Sequence, residues 1–513
     1  MLPTVSNPDT TTADALPPAH PDDHVPGLRH RLQPVLAGPD SADAQLLAGA
    51  VLVAAIARYA LAPGHPGVFL LPTTVMAVGA VLLCLRVGRP AWLLIACGAL
   101  SSLWFTIDWL TQTAIMAAVG IAGVVWGGPD ARQFARLRAA LAGIGAGTYA
   151  LAAWHKSNHD FLNPEYSCAV VGVERMVPFA GEWVTHPALL AASPHLTLAA
   201  ELALAVMLPL RPRWALVFAC LFHLPLTLTF EPSFPFVMGV CLVAAGGLRS
   251  ATAGQPHHDR AGEGDADPDA HPPTFAAAFP HPSHAFWWTG ALAWAACLPV
   301  LWVDAPLVRW DLWPRCALMV HVALWVSWQI TLDRRLRRVP PASTSRPSAV
   351  PALAALAPRT FALALCVWFA LGMTPYLGTR MQHVGAMLSN LRIDDGCWNH
   401  LFVPQGVRGA DPYVRIDQAH VGEGRPDLEQ TLTLTLWNPD AIHTLRRNWC
   451  APHLRPLQLQ GSWRGEPWSI VDLCDESVAL PARRGAFGGP VLFPHYLRWQ
   501  KNLLRQCPTA CVH

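Results

Sequence analysis

The chain has 513 residues, 52% of them hydrophobic and only 14% charged, which is more apolar surface than one soluble core requires. Its net charge of +2 comes from 36 basic and 34 acidic residues gathered in loops and in the last quarter rather than in one patch, which argues against a nucleic-acid partner. A membrane protein is the class this composition favours.

Residues 1–45 are rich in Pro, Asp and His and contain no apolar run, so they read as a disordered cytoplasmic tail without a signal peptide. Apolar runs follow near 46–62, 67–85, 90–110, 112–127, 138–154, 188–209, 214–230, 234–248, 285–303, 314–331 and 357–374. Backbone polar groups in lipid must be satisfied within a segment, so these runs predict a polytopic α-helical membrane protein with about eleven transmembrane helices.

Basic residues alternate between the connecting loops. Arg29 and Arg31, Arg86 and Arg89, Arg132, Arg136 and Arg138, Arg211 and Arg213, Arg249, and the cluster Arg334, Arg335, Arg337 and Arg338 share one face if every run spans. The positive-inside rule makes that face cytoplasmic, with the N-terminus inside and the C-terminus outside. The transmembrane domain would cover 46–374, with loop 155–187 exoplasmic and loop 249–284 cytoplasmic. Its Ala- and Arg-rich character suggests a GC-rich bacterial source and a bacterial inner or cell membrane.

The stretch 375–513 is predicted as an exoplasmic, mainly β soluble domain, on period-2 patterning such as Thr431 to Leu436, closed by an amphipathic helix over 494–506. Of the 13 cysteines, Cys168, Cys397, Cys450, Cys474, Cys507 and Cys511 fall in the oxidising compartment under this orientation, where disulfides can form in pairings the sequence leaves open. Cys84, Cys97, Cys220, Cys241, Cys297 and Cys366 lie inside runs and read as packing residues.

Ionisable groups inside apolar runs are costly unless paired or hydrated, which makes them site candidates. Asp108, Tyr149, Lys156, His195, Glu201, His223 and His321 all fall at or above the predicted midplane on the outer side. Tyr149 and Lys156 are seven residues apart, so a continuous helix puts them on one face. Simpler roles stand beside the functional one: Lys156 as a snorkelling interfacial lysine, Asp108 as a hydrated one, and Glu201 with His223 as an interhelical hydrogen bond. His155 and His159 have the spacing of a zinc pair but lack the glutamate of HExxH, and the irregular His residues of 249–284 read as a solvated linker, so no metal is expected.

Two passages carry a family resemblance. Tyr149-Ala-Leu-Ala-Ala-Trp-His-Lys156-Ser-Asn158-His-Asp160-Phe161-Leu-Asn-Pro164, continuing to Ser167-Cys168, resembles the lysine-containing segment of vitamin K-dependent gamma-carboxylase and its bacterial relatives, the horizontally transferred transmembrane (HTTM) proteins. Pro375-Tyr376-Leu-Gly378, Met387-Leu-Ser389-Asn390-Leu391-Arg392 and Asn399-His400-Leu401-Phe402-Val-Pro404 resemble the start of the exoplasmic region in HTTM-like proteins, and Phe222-His223 with Phe234 and Phe236 is a weaker third match. The resemblance implies Lys156 as a base that deprotonates a reduced vitamin K or menaquinol, with His223 by analogy at a quinone oxygen or oxyanion; on this enzyme reading Asp108, Tyr149, Asn158, Asp160 and Glu201 shape the binding site. It further implies membrane lipid and an exoplasmic protein or peptide substrate as partners. His155 stands where the carboxylase has a second basic residue, and Ser157 where the family usually has Leu. The other reading of the chain is a non-catalytic membrane protein that binds or moves a lipid or small molecule, or anchors an exoplasmic partner.

Overall fold

A computed structural model describes residues 42–60, 66–105, 110–128, 130–229, 234–246, 357–377, 388–394, 396–407, 413–421, 426–450, 456–463, 465–481, 502–508 and 511. Asp108, His321, the runs 285–303 and 314–331, and loop 249–284 lie outside the described residues, as does all but the end of the 1–45 tail.

Nine of the predicted runs are helices: α1 (Ala42–Ala60), α2 (Pro66–Cys84), α3 (Arg89–Phe105), α4 (Leu110–Trp126), α5 (Ala131–Lys156), α9 (Pro187–Leu210), α10 (Pro212–Thr229), α11 (Phe234–Gly246) and α12 (Pro358–Gly372). Between α5 and α9 lie three short helices, α6 (His159–Leu162), α7 (Cys168–Glu174) and α8 (Val177–Ala180), where the sequence suggested only a loop. The expectation of about eleven transmembrane helices is not met. Among the described residues one helix, α9, is long and apolar enough to cross a membrane, with 24 residues at a mean hydropathy of 1.6. Leu71–Cys84, Arg89–Leu103, Thr111–Trp126, Trp214–His223 and Phe234–Gly246 are apolar but only 10–17 residues long. Helix α3 has 17 residues and rises about 25 Å, less than the roughly 30 Å of a hydrocarbon core. Helix α5 is long, but its Ala- and Gly-rich sequence serves packing inside the protein.

That packing explains why α5 sits at the centre. Leu137, Ala139, Ala140, Leu141 and Ala142 are buried, and α4, α9, α11 and α12 all pack against the helix. A side chain at Gly143 would put its Cβ 2.6 Å from the Phe361 carbonyl oxygen, so the α5–α12 crossing requires glycine there. One turn on, Trp368 Nε1 donates to Thr148 Oγ1 at 2.9 Å. Arg132, Arg136 and Arg138 belong to the first turns of α5 rather than to a loop. Arg138 is buried and donates through Nε to the Ala244 carbonyl near the end of α11, at 2.8 Å, a position where a cation meets the carbonyls at a helix C-terminus.

The exterior of the helical part is apolar. Leu71, Val78, Val81 and Leu85 around α2, Leu196, Leu202, Val206 and Leu210 on α9, Trp214 and Leu221 on α10, and Leu363 and Val367 on α12 are all exposed. Such a surface exceeds the scattered apolar residues of an ordinary soluble exterior.

The C-terminal part is an α+β unit rather than mainly β. Strands β1 (Val414–Val421), β2 (Thr435–Trp437), β3 (Leu457–Trp463), β4 (Glu466–Ile470) and β5 (Leu503–Leu504) form an antiparallel sheet in the order β4-β3-β1-β2-β5. Helices α13 (Pro426–Thr433) and α14 (Pro439–Trp449) bury Leu432 and Ile442 in the same core as Val414, Ile416, Leu457, Leu459 and Ile470. A Cβ at Gly461 would overlap the Arg415 carbonyl across the β1–β3 pair, so the two backbones meet only through glycine. The alternating run from Thr431 to Leu436 is split: its first half ends α13, where Thr431 and Thr433 hydroxyls donate to the Asp427 and Glu429 carbonyls at 2.8 and 3.0 Å. The hydroxyls thus find partners within the helix, and alternation alone did not make a strand. The predicted helix over 494–506 is also corrected where it is described, because Leu503–Leu504 forms β5.

The six cysteines assigned to the oxidising side form the three disulfides Cys168–Cys511, Cys397–Cys507 and Cys450–Cys474.

Candidate functional site

Helix α5 runs unbroken to Lys156, so Tyr149 and Lys156 do share a face. The chain then turns at once. Ser157 N–H donates to the Trp154 carbonyl at 3.0 Å, and Asn158 starts α6 with Oδ1 accepting from Phe161 N–H at 2.8 Å. Lys156 is held at that corner by backbone bonds.

Helix α9 faces it with Glu201. Lys156 Nζ lies 2.7 Å from Glu201 Oε1, both side chains being more than nine-tenths buried, and 5.7 Å from the centre of the Phe161 ring. From α10, His223 Nε2 is 2.7 Å from Tyr149 Oη. The edges of Phe222 and Phe234 fix the imidazole, with ring centres 5.3 and 5.4 Å away. Pro194 in α9 has no N–H to give the Leu190 carbonyl, and Ser193 Oγ donates to that carbonyl instead at 2.9 Å, which keeps the helix continuous beside the site.

These side chains meet at one cavity of about 480 Å³, within the range that encloses most of a drug-sized ligand. Tyr149, Lys156, Glu201 and His223 line it, and so do Thr148 and Ser193; the rest of the wall is largely apolar, from α7, α9 and α10. Leu196 and Leu221 line the cavity and are also more than half exposed, so its wall is continuous with the apolar exterior. Two polar pairs therefore stand in an apolar chamber: an ammonium with a carboxylate, and a phenol with an imidazole. Such a chamber strengthens each electrostatic contact and penalises each group left without one.

The remaining predicted residues play other parts. Asn158 is buried away from the cavity, and its Nδ2 donates to the carbonyls of His155 and Ser389 at 2.7 and 2.6 Å, so it is a structural cap. Asp160 lies in the first turn of α6, half-buried and outside the cavity wall. His195 is exposed. His155 turns the other way, with Nδ1 2.9 Å from the Tyr376 hydroxyl, and the end of α5 at Lys156 ends any shared helical face with His159. Among the described residues no group of three or more His, Cys, Asp or Glu could hold a metal ion.

Sequence reasoning missed how the two family-like passages meet. The second lies antiparallel along the first: His159 N–H donates to the Asn399 carbonyl at 3.0 Å, and Leu401 N–H to the Ser157 carbonyl at 3.1 Å. Asn390 accepts from Cys168 N–H and donates to the Tyr166 carbonyl, both at 2.8 Å. His400 completes the clasp. Phe402 and Val403 N–H groups donate to its Nδ1 at 3.1 and 3.0 Å, which makes Nδ1 the acceptor and leaves Nε2–H to donate to the Trp154 carbonyl at 3.0 Å. Burial lowers the His400 pKa below the ordinary histidine value, against a smaller opposite effect of the Trp154 carbonyl. The asparagines and His400 were visible as residues of the second passage, but nothing local announced their partners.

No family model matches the chain, and neither does any curated protein or solved structure.

Proposed function

We propose that the cavity binds a lipid-soluble aromatic ring compound and that the protein is a membrane-associated enzyme acting on a reduced quinol, such as reduced vitamin K or menaquinol, in the manner of gamma-carboxylase. The observation that carries this reading is the convergence of Lys156, Glu201, Tyr149 and His223, from three helices, on one apolar chamber whose wall runs into an apolar exterior. Lys156 serves as the base that takes the proton of a ring hydroxyl. It must first be a free amine, and Glu201 supplies the means, because a proton passed from Nζ to Oε1 over 2.7 Å turns the ion pair into an amine and an acid. An apolar chamber disfavours charges enough to make that exchange accessible. Tyr149 and His223, coupled at 2.7 Å, would hydrogen-bond the second ring oxygen or the oxyanion that forms. An exoplasmic peptide glutamate is the acceptor that this family reading names. The three disulfides support an oxidising compartment for the C-terminal unit.

One observation favours a second reading. The 2.7 Å Lys156–Glu201 contact, kept as an ion pair, is a recognition element and not a base, which suits a protein that binds or carries a lipid without chemistry. Turnover of reduced menaquinone or vitamin K by the detergent-solubilised protein, with dioxygen as the oxidant and the source of the epoxide oxygen, separates the two. Quinol oxidation or epoxide formation that disappears in Lys156→Ala supports the enzyme. Binding without turnover in the wild type supports the carrier, and turnover that survives the substitution refutes Lys156 as base.

A further inference from the structure

Glu201 has more acceptor capacity than Lys156 uses. Its side chain is 7% exposed and lines the cavity, Oε1 receives Lys156 Nζ, and the buried Oε2 has no hydrogen-bond partner among the described residues. A carboxylate oxygen shielded from water without a donor is unfavourable, and whatever molecule brings a donor to it gains what the free protein lacks.

Resting on the ring-binding reading above, we propose that Glu201 is the residue by which the cavity discriminates the oxidation state of its ligand, selecting a ring that carries a hydroxyl over the same ring carrying a carbonyl. In the bound complex the hydroxyl makes a hydrogen bond to Oε2 and keeps its proton, which the Lys156 amine takes only in the reaction. A carbonyl oxygen at the same place sets acceptor against acceptor and repels, although it can still take a hydrogen bond from Lys156. The second pair does not discriminate in this way, because a phenol–imidazole couple can present either a donor or an acceptor through its tautomers. The consequence bears on turnover. A reaction that consumes the hydroxyl also removes the contact that held the ring, so the oxidised product is bound less tightly than the substrate.

The test is equilibrium binding and needs no catalysis. Full-length protein in detergent is titrated with 1-naphthol and with 1-methoxynaphthalene, which share the ring and the oxygen but differ in the donor, and binding is followed by quenching of tryptophan fluorescence. The wild type is expected to bind the naphthol at least about tenfold more tightly, as a hydrogen bond to a carboxylate warrants. Glu201→Gln, which turns an amide N–H₂ towards the ligand, is expected to bring the ratio below about twofold or to invert it. Anaerobic titration with 2-methyl-1,4-naphthoquinone and its hydroquinone should show the same order. Equal affinities in the wild type overturn the proposal whether or not the variant folds. A preference that survives in Glu201→Gln and vanishes in Tyr149→Phe assigns the discrimination to Tyr149 and overturns it for Glu201. Binding of neither compound overturns the ring-binding reading and this inference with it.

Discussion

Replacing Glu201 with Leu strands the Lys156 ammonium in an apolar chamber, and replacing Lys156 with Met strands the carboxylate. At 2.7 Å the gross attraction is about 6 kcal/mol if the effective dielectric constant is ~20. Taking two ions out of water cancels much of that, and both side chains here are more than nine-tenths buried, so desolvation is nearly complete. The net value of the pair is accordingly small, but the loss on removing one partner is large, about 3–5 kcal/mol, because the other charge stays behind. The double variant Lys156→Met/Glu201→Leu leaves no charge and packs two apolar chains against the same wall, so its stability should lie within about 1–2 kcal/mol of the wild type or above it. Thermal unfolding of the four proteins in one detergent, followed by tryptophan fluorescence, completes the cycle. Each single variant should melt well below the wild type, and the double should recover most of that loss. Losses that simply add, or single variants that melt with the wild type, would refute the view that the two side chains form one buried unit.

Four further outcomes follow from the clasp, the disulfides and the helix core. The neutral His400 contributes stability that is fully present above pH about 6.5 and is lost as pH falls below that towards its depressed folded pKa; hydrogen exchange at the Phe402 and Val403 amides, corrected for intrinsic rates, should accelerate progressively as pH falls below about 6.5 and lose this dependence in His400→Gln. Cys168→Ser should cost about 2–4 kcal/mol and leave Cys511 open to thiol labelling, while Cys397 and Cys507 stay protected; labelling of all three would mean that the bridges are not independent. Gly143→Leu should destabilise by more than 2 kcal/mol because a backbone carbonyl occupies the space, whereas Thr148→Val, losing one neutral hydrogen bond from Trp368, should cost about 1 kcal/mol by the same melting assay.

Much of the site was legible because its parts repeat a local rule. Tyr149 and Lys156 could be placed on one face from their spacing, and Glu201 and His223 could be singled out because deep ionisable groups need partners. Which partner each takes was not legible, since no local pattern links α5 to α9 or α10. Asn158 was read as a ligand contact although an asparagine three residues before Phe161 is also a helix cap, the role it has here. The count of spans failed for a related reason. Hydropathy registers apolar residues equally whether they face lipid or, as along α5, other helices. In the C-terminal unit, alternating Thr and Leu resembled a strand until the hydroxyls bonded back along a helix. The six bridging cysteines followed from compartment alone, but their pairing depended on chain segments up to 343 residues apart.

That last separation sets an order of events. Cys168 begins α7, part of the cavity wall, and its covalent partner is Cys511. A ribosome has to deliver Cys511 before the bond can close, so a nascent chain can form all its described helices and still hold its chamber by non-covalent contacts only. Covalent closure of the wall thereby reports that the segment carrying Cys511 has been made and has reached α7.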